Sequence, residues 1–575
     1  MFLVTITQFK ISRFLQSFNI HEFKVDSSQI ITIVTDNFLS KLFLKLEGFS
    51  VIESPLISSL NFKDIIFSQI TFNNHDNFLD IFKSTISGRP IYYHTNSNGD
   101  FFCSTHVSML RKVGVPIEEN EDVIPEFFVY RYIMPPRTLY RNINQLVAGS
   151  LLRIKLINGK CNIFKIDKYN PPIPEDNNSN KNIYDISNHT FILLNDSVKS
   201  LKPIKDRIMF LLSGGLDSSI LFRICQNNFD IDLTFSTGYP FEHPRYNTEK
   251  EYALSAASSF QTKHTYYEIK TKDYLYGFLE AISMAEEPLH HLQSVLLYLL
   301  FKGGVPKCKD VVISGQGADG IFGLGLHNSL YRSEKMIFRR LSKDPILKLL
   351  EFASYLTVRG QARINVLNRK NSPISDPNNI TWLLGAHGSE DWVSQYYRAK
   401  KQDIIKGRYD TIKSFENRSI YDVISILDFL GDVSITTSIW SKLGESQRKI
   451  AYYPFNDAKI LNYIYSISWE AKLKNPKNIL RCVARQLKIP KLIITRPKSA
   501  FGVNPQKWAI KGGVFEPLVP LASKVFDEKQ IRSMQSIELK KAMTYWNILN
   551  YSIWKRLFIN NEPLGLLLEE LDEFR

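Results

Sequence analysis

The chain is poor in cysteine, with five in 575 residues. Cys103, Cys161, Cys225, Cys308 and Cys482 are scattered and form no C-x-x-C pair. An odd, sparse set argues against a disulfide framework and against a zinc site. No uninterrupted apolar run approaches the ~20 residues of a membrane span, so no membrane partner is expected. Met1-Phe2-Leu3-Val4-Thr5-Ile6-Thr7 reads as a strand and lacks the basic start and small-residue cleavage site of a secretion signal. The expected compartment is the cytoplasm. The G-x-x-x-x-G-K-[ST] string of P-loop nucleotide sites is absent, and no internal repeat stands out. Lys and Arg number 72 against 57 Asp and Glu, a net charge of +15. These residues are spread along the chain without a long basic block, which argues against a nucleic-acid substrate. The richness in Lys, Ile and Asn reads as the mark of an AT-rich genome, and a basic surface equally suits ATP or an acidic peptide.

What is present is ordinary globular composition, 44% hydrophobic and 22% charged. The length accommodates two or three domains at the usual ~100–200 residues each. The clearest break is the stretch from Tyr169 through Pro171, Pro172 and Pro174 to Asn182, where prolines and polar residues interrupt any strand or helix. It divides the chain into a domain at 1–168, a linker at 169–185 and a domain at 186–575. Short strand-like runs dominate before the break, such as Pro90–His94 and Asp100–Cys103 around a turn at 96–99. After it, strands alternate with longer helical patterns, as a doubly wound parallel sheet requires. The chain reads as mostly helical from about 333 to 450, and Tyr545–Trp554 reads as core-facing helix.

The most informative string is Ser213-Gly214-Gly215-Leu216-Asp217-Ser218-Ser219, which follows the apolar run Ile208–Leu212 and precedes the apolar segment Ile220–Ile224. Strand, glycine-serine turn and helix build an anion cradle. The glycines let the backbone turn tightly, and the unsatisfied N–H groups opening the helix favour phosphate oxygens. The serines add hydroxyl donors, and Asp217 offers a hard oxygen ligand for Mg2+. The string resembles the PP-loop of ATP pyrophosphatases, which split ATP into AMP and pyrophosphate.

A second buried strand, Lys309–Ile313, runs into Ser314-Gly315-Gln316-Gly317-Ala318-Asp319-Gly320-Ile321-Phe322-Gly323. This resembles the S-G-E-G-S-D-E-x-F-G segment of the asparagine synthetase family. Arg496-Pro497-Lys498-Ser499-Ala500-Phe501, with Pro505 and Trp508, is similar to the family's R-P-K-x-x-F motif. Lys477 and Arg481 match its K-x-x-L-R segment, and Tyr453–Asp457 its R-x-P-F-x-D segment. Ser236, Glu249, Tyr252-Ala253 and Glu287-Pro288 fall where members carry similar residues. The motifs keep the family's order over roughly 205–560. Before the break, Gly88–Tyr93 and Leu139–Ser150 resemble the back half of a class II glutamine amidotransferase domain. The resemblance implies an α/β and α+β two-domain fold: an antiparallel β-sandwich-like amidotransferase domain, then a doubly wound PP-loop sheet with added helices.

Three departures bear on function. Working amidotransferases place a nucleophilic cysteine after the initiator Met, where this chain has Phe2. Phenylalanine offers no nucleophile, so the front domain reads as a retained scaffold without glutaminase activity. Gln316 stands where asparagine synthetases carry Glu, and it cannot act as a base. In β-lactam synthetases and lasso-peptide cyclases, relatives with a silent front domain, this position is likewise not Glu. The family's E-A-R-x-P-F reads Ile450-Ala451-Tyr452-Tyr453-Pro454-Phe455, without the Glu and Arg.

The resemblance implies that a carboxylate attacks the α-phosphorus of ATP, pyrophosphate leaves, and an amine captures the acyl-adenylate. It assigns ATP and pyrophosphate to Ser213, Gly214, Gly215, Leu216, Asp217, Ser218, Ser219, Ser236, Gly315 and Gly317. Mg2+ falls to Asp217 and Asp319, whose alternative reading is helix N-capping. Lys498 and Gln316 are the catalytic candidates, with Lys498 stabilising charge in the amide-forming step. Arg496 is expected to orient its loop. His290 and His291 read as structural, pointing apart on a helix with no third ligand in evidence. Three readings stay open. One is a specialised AMP-forming ligase such as a lasso-peptide macrolactam cyclase, acting on a precursor peptide beside a partner protease. The others are an ammonia-dependent asparagine synthetase and a silent scaffold protein.

Overall fold

The computed structural model describes residues 2–7, 19–24, 30–35, 40–45, 48–53, 66–73, 75–158, 160–173, 182–231, 233–239, 244–325, 327–328, 330–331, 389–415, 417–473, 475–496 and 502–574. Within these, the N-terminal part forms two antiparallel sheets. The first runs, in spatial order, Asn144–Gln145, Tyr92–Thr95, Phe101–Ser104, Phe2–Thr7, Ile30–Thr35 and Asn19–Lys24. The second runs Lys160–Asp167, Leu151–Ile157, Phe78–Lys83, Ser68–Asn73, Gly48–Glu53 and Ser40–Lys45.

Period-two alternation explains how the first sheet is used. Val4, Ile6, Ile31, Ile33, Tyr93, Phe101 and Cys103 face the second sheet and share a core with its Ile70, Leu79, Ile81, Leu152 and Ile154. The alternate residues Leu3, Val34, Tyr92 and Phe102 enter the main core beside residues of the C-terminal part, such as Phe278, Leu296 and Trp554. The central strands of the first sheet, Phe2–Thr7, Ile30–Thr35 and Phe101–Ser104, are therefore buried on both faces, while the edge strand Asn19–Lys24 exposes His21 and Glu22.

The C-terminal part holds a parallel sheet ordered Lys263–Glu268, Leu233–Gly238, Ile208–Leu211, Val311–Ile313 and Ile450–Tyr452. In chain order that is third, second, first, fourth, fifth. The order reverses between Ile208–Leu211 and Val311–Ile313, which makes their C-terminal ends the crevice where such sheets bind ligands. This is the two-part α/β architecture expected from the sequence. Tyr545–Trp554 lies in the helix Leu539–Trp554, whose residues from Ala542 onward are buried. Between 333 and 450, residues 332–388 lie outside the described set, and Glu390–Tyr396, Lys401–Lys413 and Ile420–Ser446 are helical. The run Ile420–Ser446 is long and apolar enough to cross a membrane, but most of it is buried inside the fold as core helix.

One local reading changes. The helix Ile183–Lys199 begins inside the stretch read as linker, because the Asn182 side chain caps it by accepting from the Tyr184 N–H. Upstream, Arg418 binds the carbonyls of Pro171 and Pro172 and the Asn170 side chain, fixing the start of that stretch.

Charged groups join the two parts. Arg89 grips Glu445 with Nε at 3.1 Å and Nη2 at 2.6 Å, a bidentate pair. The Glu286 carboxylate accepts from the Val107 and Ser108 N–H groups at 2.7 and 3.3 Å, opening a helix of the front domain. Lys442 donates to Glu286 at 3.1 Å and to the Ala285 carbonyl at 2.7 Å. Burial alone would raise the Glu286 pKa, but Lys442, His106 and these donors hold its carboxyl down at about 2.

Glu286→Gln strands the Lys442 charge in the interface and should destabilise the protein by roughly 3–5 kcal/mol. Adding Lys442→Met should restore most of that loss. Since the folded pKa lies below the ordinary 4.5, the pair's contribution is complete above that value and fades as pH falls toward about 2. Denaturation midpoints followed from pH 7 to 3 should fall more steeply for the wild type than for the double variant. Parallel curves would refute the assignment.

Candidate active site

Two loops leave the adjacent strands Ile208–Leu211 and Val311–Ile313 and meet over the sheet's C-terminal edge. The first is Ser213–Ser219. Gly214 has φ of +69°. A Cβ there would lie 2.3 Å from the Tyr252 carbonyl oxygen, so only glycine allows the helix Pro244–Ser259 to pass this closely. The Ser213 hydroxyl accepts from the Gly215 N–H at 3.3 Å and lies 3.1 Å from the Ser218 hydroxyl, which also donates to the Gly215 carbonyl. The helix Leu216–Asn228 starts at the Gly215 cap without a capping side chain, leaving the N–H groups at its positive end available to an anion. Ser219 is buried behind them, and its hydroxyl has no protein partner.

The second loop is Ser314–Phe322. A Cβ on Gly315 would lie 3.2 Å from both Asp217 Cβ and the Ser218 nitrogen, so the loops touch here. Gly317 has φ of +98° and caps the short helix Ala318–Ile321. A Cβ on it would lie 2.0 Å from Asn456 Oδ1, a buried acceptor without a partner. Gln316 is half-buried at the tip, its N–H directed to the Ser314 hydroxyl at 3.4 Å. Asp217 and Asp319 are not helix caps: glycines occupy both cap positions.

The two aspartates converge on one cation. Lys477 Nζ lies 2.5 Å from Asp217 Oδ2 and 2.5 Å from Asp319 Oδ1. Its side chain is only 7% exposed. Lys477 also adopts φ of +59°, a left-handed conformation that costs about 1–3 kcal/mol for a non-glycine residue. The Lys477 N–H is fixed on the Phe322 carbonyl at 2.9 Å, and its own carbonyl accepts from Arg481 at the start of the helix Asn478–Gln486. Sequence reasoning matched Lys477 to a motif but gave it no role. The signal is visible only in three dimensions, where one ammonium bridges two separate loops.

A pair of carboxylates focused on a single cation position is an oxygen donor set suited to a hard divalent ion. Asp217 Oδ1, buried and without a hydrogen-bond partner, supplies a further acceptor. The residues therefore fit Mg2+. Arg496 donates to the Ser213 carbonyl at 3.0 Å, and its guanidinium lies 3.9 Å from the Tyr252 ring centroid, tying its segment to the first loop. That is the orienting contact expected of it. Ser236 sits on the neighbouring strand, with its hydroxyl 2.8 Å from His264 Nε2, and burial pushes that imidazole's pKa down to about 4. Lys498, with the rest of 497–501, lies outside the described residues; so does the side chain of Glu249.

Two further groupings were missed. Gly320 stands where the family string carries a second Glu, and a Cβ there would meet Asp428 Oδ2 at 2.2 Å. The Asp428 carboxyl, which burial and the Asp432 charge push toward its neutral form, takes the space beside the second loop. The placement of His290 and His291 on a helix is corrected. They lie in the turn between the helices Thr271–Ala285 and Gln293–Leu299, where their ring centroids are 4.0 Å apart with the planes tilted by 38°, and both face Asp432. A turn, unlike a helix, lets consecutive side chains point the same way.

Comparisons with known proteins match both parts of the chain. The glutamine amidotransferase domain family matches residues 62–165. A relative from Bacillus subtilis strain 168, asparagine synthetase [glutamine-hydrolyzing] 1, is 22% identical over 454 residues, covering 77% of this chain and 68% of its own. Putative asparagine synthetases [glutamine-hydrolyzing] of Mycobacterium bovis and of Mycobacterium tuberculosis strain H37Rv are each 21% identical over 514 residues, covering 84% of this chain and 74% of theirs. The asparagine synthase family itself matches residues 192–547, a span that holds both loops, Lys477 and Arg496, and the chain belongs to that family.

Proposed function

We propose that this chain is an ATP-dependent, AMP-forming amide synthetase that activates a carboxylate on a peptide and joins it to an amine of the same peptide, closing a macrolactam as lasso-peptide cyclases do. The observation that carries the ligase reading is the Lys477 ammonium held 2.5 Å from both Asp217 and Asp319 at the mouth of the phosphate cradle. The N–H groups opening the helix Leu216–Asn228 bind the departing pyrophosphate, with Ser213 and Ser218 adding hydroxyl donors. Asp217 and Asp319 hold Mg2+. When bound, that ion neutralises phosphate charge and favours departure of pyrophosphate. Lys477 supplies positive charge beside the reacting acyl group, where oxyanion charge builds as the amine attacks. Lys498, in the R-P-K-x-x-F motif, supplies a second cation.

The peptide substrate follows from what the chain lacks. The relatives' names describe glutamine-hydrolysing enzymes, whereas Phe2 stands where working amidotransferases carry a nucleophilic cysteine, which disfavours glutamine as the nitrogen source. Gln316 and Gly320 remove two carboxylates of the family string from the second loop, a change suited to an acid and an amine other than aspartate and ammonia. A precursor peptide and a protease encoded beside the gene are the partners this reading requires. Asparagine formation from aspartate and free ammonia uses the same nucleotide chemistry, and product analysis separates the two.

Turnover should release AMP and pyrophosphate. Chromatography of the spent nucleotide checks this, and ADP as the main product would overturn the cleavage site. Glutamine should yield no glutamate, with or without ATP; steady glutamate release would reveal a nucleophile other than position 2.

Asp217→Asn and Asp319→Asn should each abolish labelled pyrophosphate exchange into ATP. Lys477→Ala and Lys498→Ala should retain exchange but lose amide product by a factor on the order of 100–1,000, the usual loss of one preorganised charge donor. Mass spectrometry of the neighbouring precursor peptide reads the product. Unchanged amide yield in Lys477→Ala would leave that residue as a structural counter-ion, and the same result for Lys498→Ala would remove the second cation.

A further inference from the structure

We infer that His290, His291 and Asp432 form a second metal site, selective for a borderline divalent ion of the Zn2+ class and distinct from the oxygen-only Mg2+ position. His290 Nε2 lies 2.5 Å and His291 Nε2 3.7 Å from the same oxygen, Asp432 Oδ1. One ligand atom from each of the three residues falls within 4.8 Å of the others. At metal–ligand lengths of ~2.0–2.1 Å the ligands of a tetrahedral ion stand about 3.3 Å apart, so small side-chain rotations accommodate one. The ion parts the close His290–Asp432 contact and draws His291 inward.

The backbone positions these ligands without help from a metal. The turn after Glu286-Glu287-Pro288 aims both rings the same way, and Tyr132 packs its ring against that of His290, with centroids 4.8 Å apart. Asp432 sits in Phe429–Val433, a wide π-turn inside the helix Ile420–Ser446. Such turns re-aim a side chain and are frequent at functional sites. His290, His291 and, more weakly, Arg131 all act on the Asp432 carboxylate.

Two imidazoles and one carboxylate favour Zn2+, Co2+ or Fe2+ over Mg2+, which takes oxygen ligands. Three protein ligands leave a position open, as in zinc sites that bind water or a substrate group. His290 is buried, while Asp432 keeps 35% of its side chain exposed, so the open position has access. A cavity between the two domains, lined by Arg131, Tyr132, Glu287 and Pro288, adjoins the histidine turn. The cysteine pattern argued against zinc because it offers no sulfur cluster; this site needs none.

The test uses the full-length chain without a histidine tag, stripped of metal and titrated with Co2+ in excess Mg2+. The expected result is one Co2+ per chain retained through gel filtration, with a visible absorption band that one equivalent of Zn2+ abolishes. His290→Ala and Asp432→Asn should lose both retention and band, while Asp217→Asn should keep them. Circular dichroism establishes that the variants are folded, and the wild-type titration decides the matter where one is not. Wild-type protein that retains neither ion, or retention unchanged in both ligand variants, would overturn the site. None of these readouts depends on amide synthesis, so the ligase reading stands or falls separately.

Discussion

The candidate nucleotide site depends on a reversal of strand order. Because Ile208–Leu211 and Val311–Ile313 are parallel neighbours whose flanking strands wind in opposite directions, the loops that leave them open side by side instead of being covered by a crossover. Everything polar at the site follows from that opening. Two loops, each with an aspartate in the first turn of its helix, would repel if brought this close in isolation. Lys477 supplies the missing charge from a third segment, and its left-handed backbone is the local strain accepted for placing the ammonium between them.

The same economy governs the contact between domains. A carboxylate and an ammonium buried together are costly to desolvate and repay little beyond their hydrogen bonds. Glu286 nevertheless satisfies two backbone N–H groups of the front domain and one ammonium of the other. Arg89 and Glu445 repeat the arrangement, with the donor now in the front domain. Such fully bonded pairs give little net stability but penalise misdocking, since any shift leaves a charge unpaired.

How much of this was legible in the sequence depended on how local each signal was. Ser213–Ser219 and Ser314–Phe322 were readable because strand, turn and helix are contiguous, and the glycines mark the turns. Phe2 was equally plain, because the identity of a residue needs no geometry. Lys477 was visible as a motif, but its role was not, since its partner Asp217 lies 260 residues away. His290 and Asp432 are 142 residues apart, and two adjacent histidines taken as helical were bound to be read as diverging. The start of the helix Ile183–Lys199 was missed for a different reason: one Asn cap outweighed the disordered look of the polar stretch before it. Lys498 was legible by resemblance alone.

The sheet alternation gives a physical reason for the front domain to be retained, whatever its chemistry. Leu3, Val34, Tyr92 and Phe102 project from the face opposite the sandwich and are fully or almost fully buried in the main core. Burying each large apolar side chain contributes about 1.5–3 kcal/mol. Deleting the domain would therefore expose the flank of the synthetase core as well as the Lys442 ammonium. Whatever the residue at position 2 does, positions 3, 34, 92 and 102 are constrained by packing. Selection on the ligase alone is then enough to retain the sandwich, and the domain boundary that is distinct in sequence is no boundary in the core.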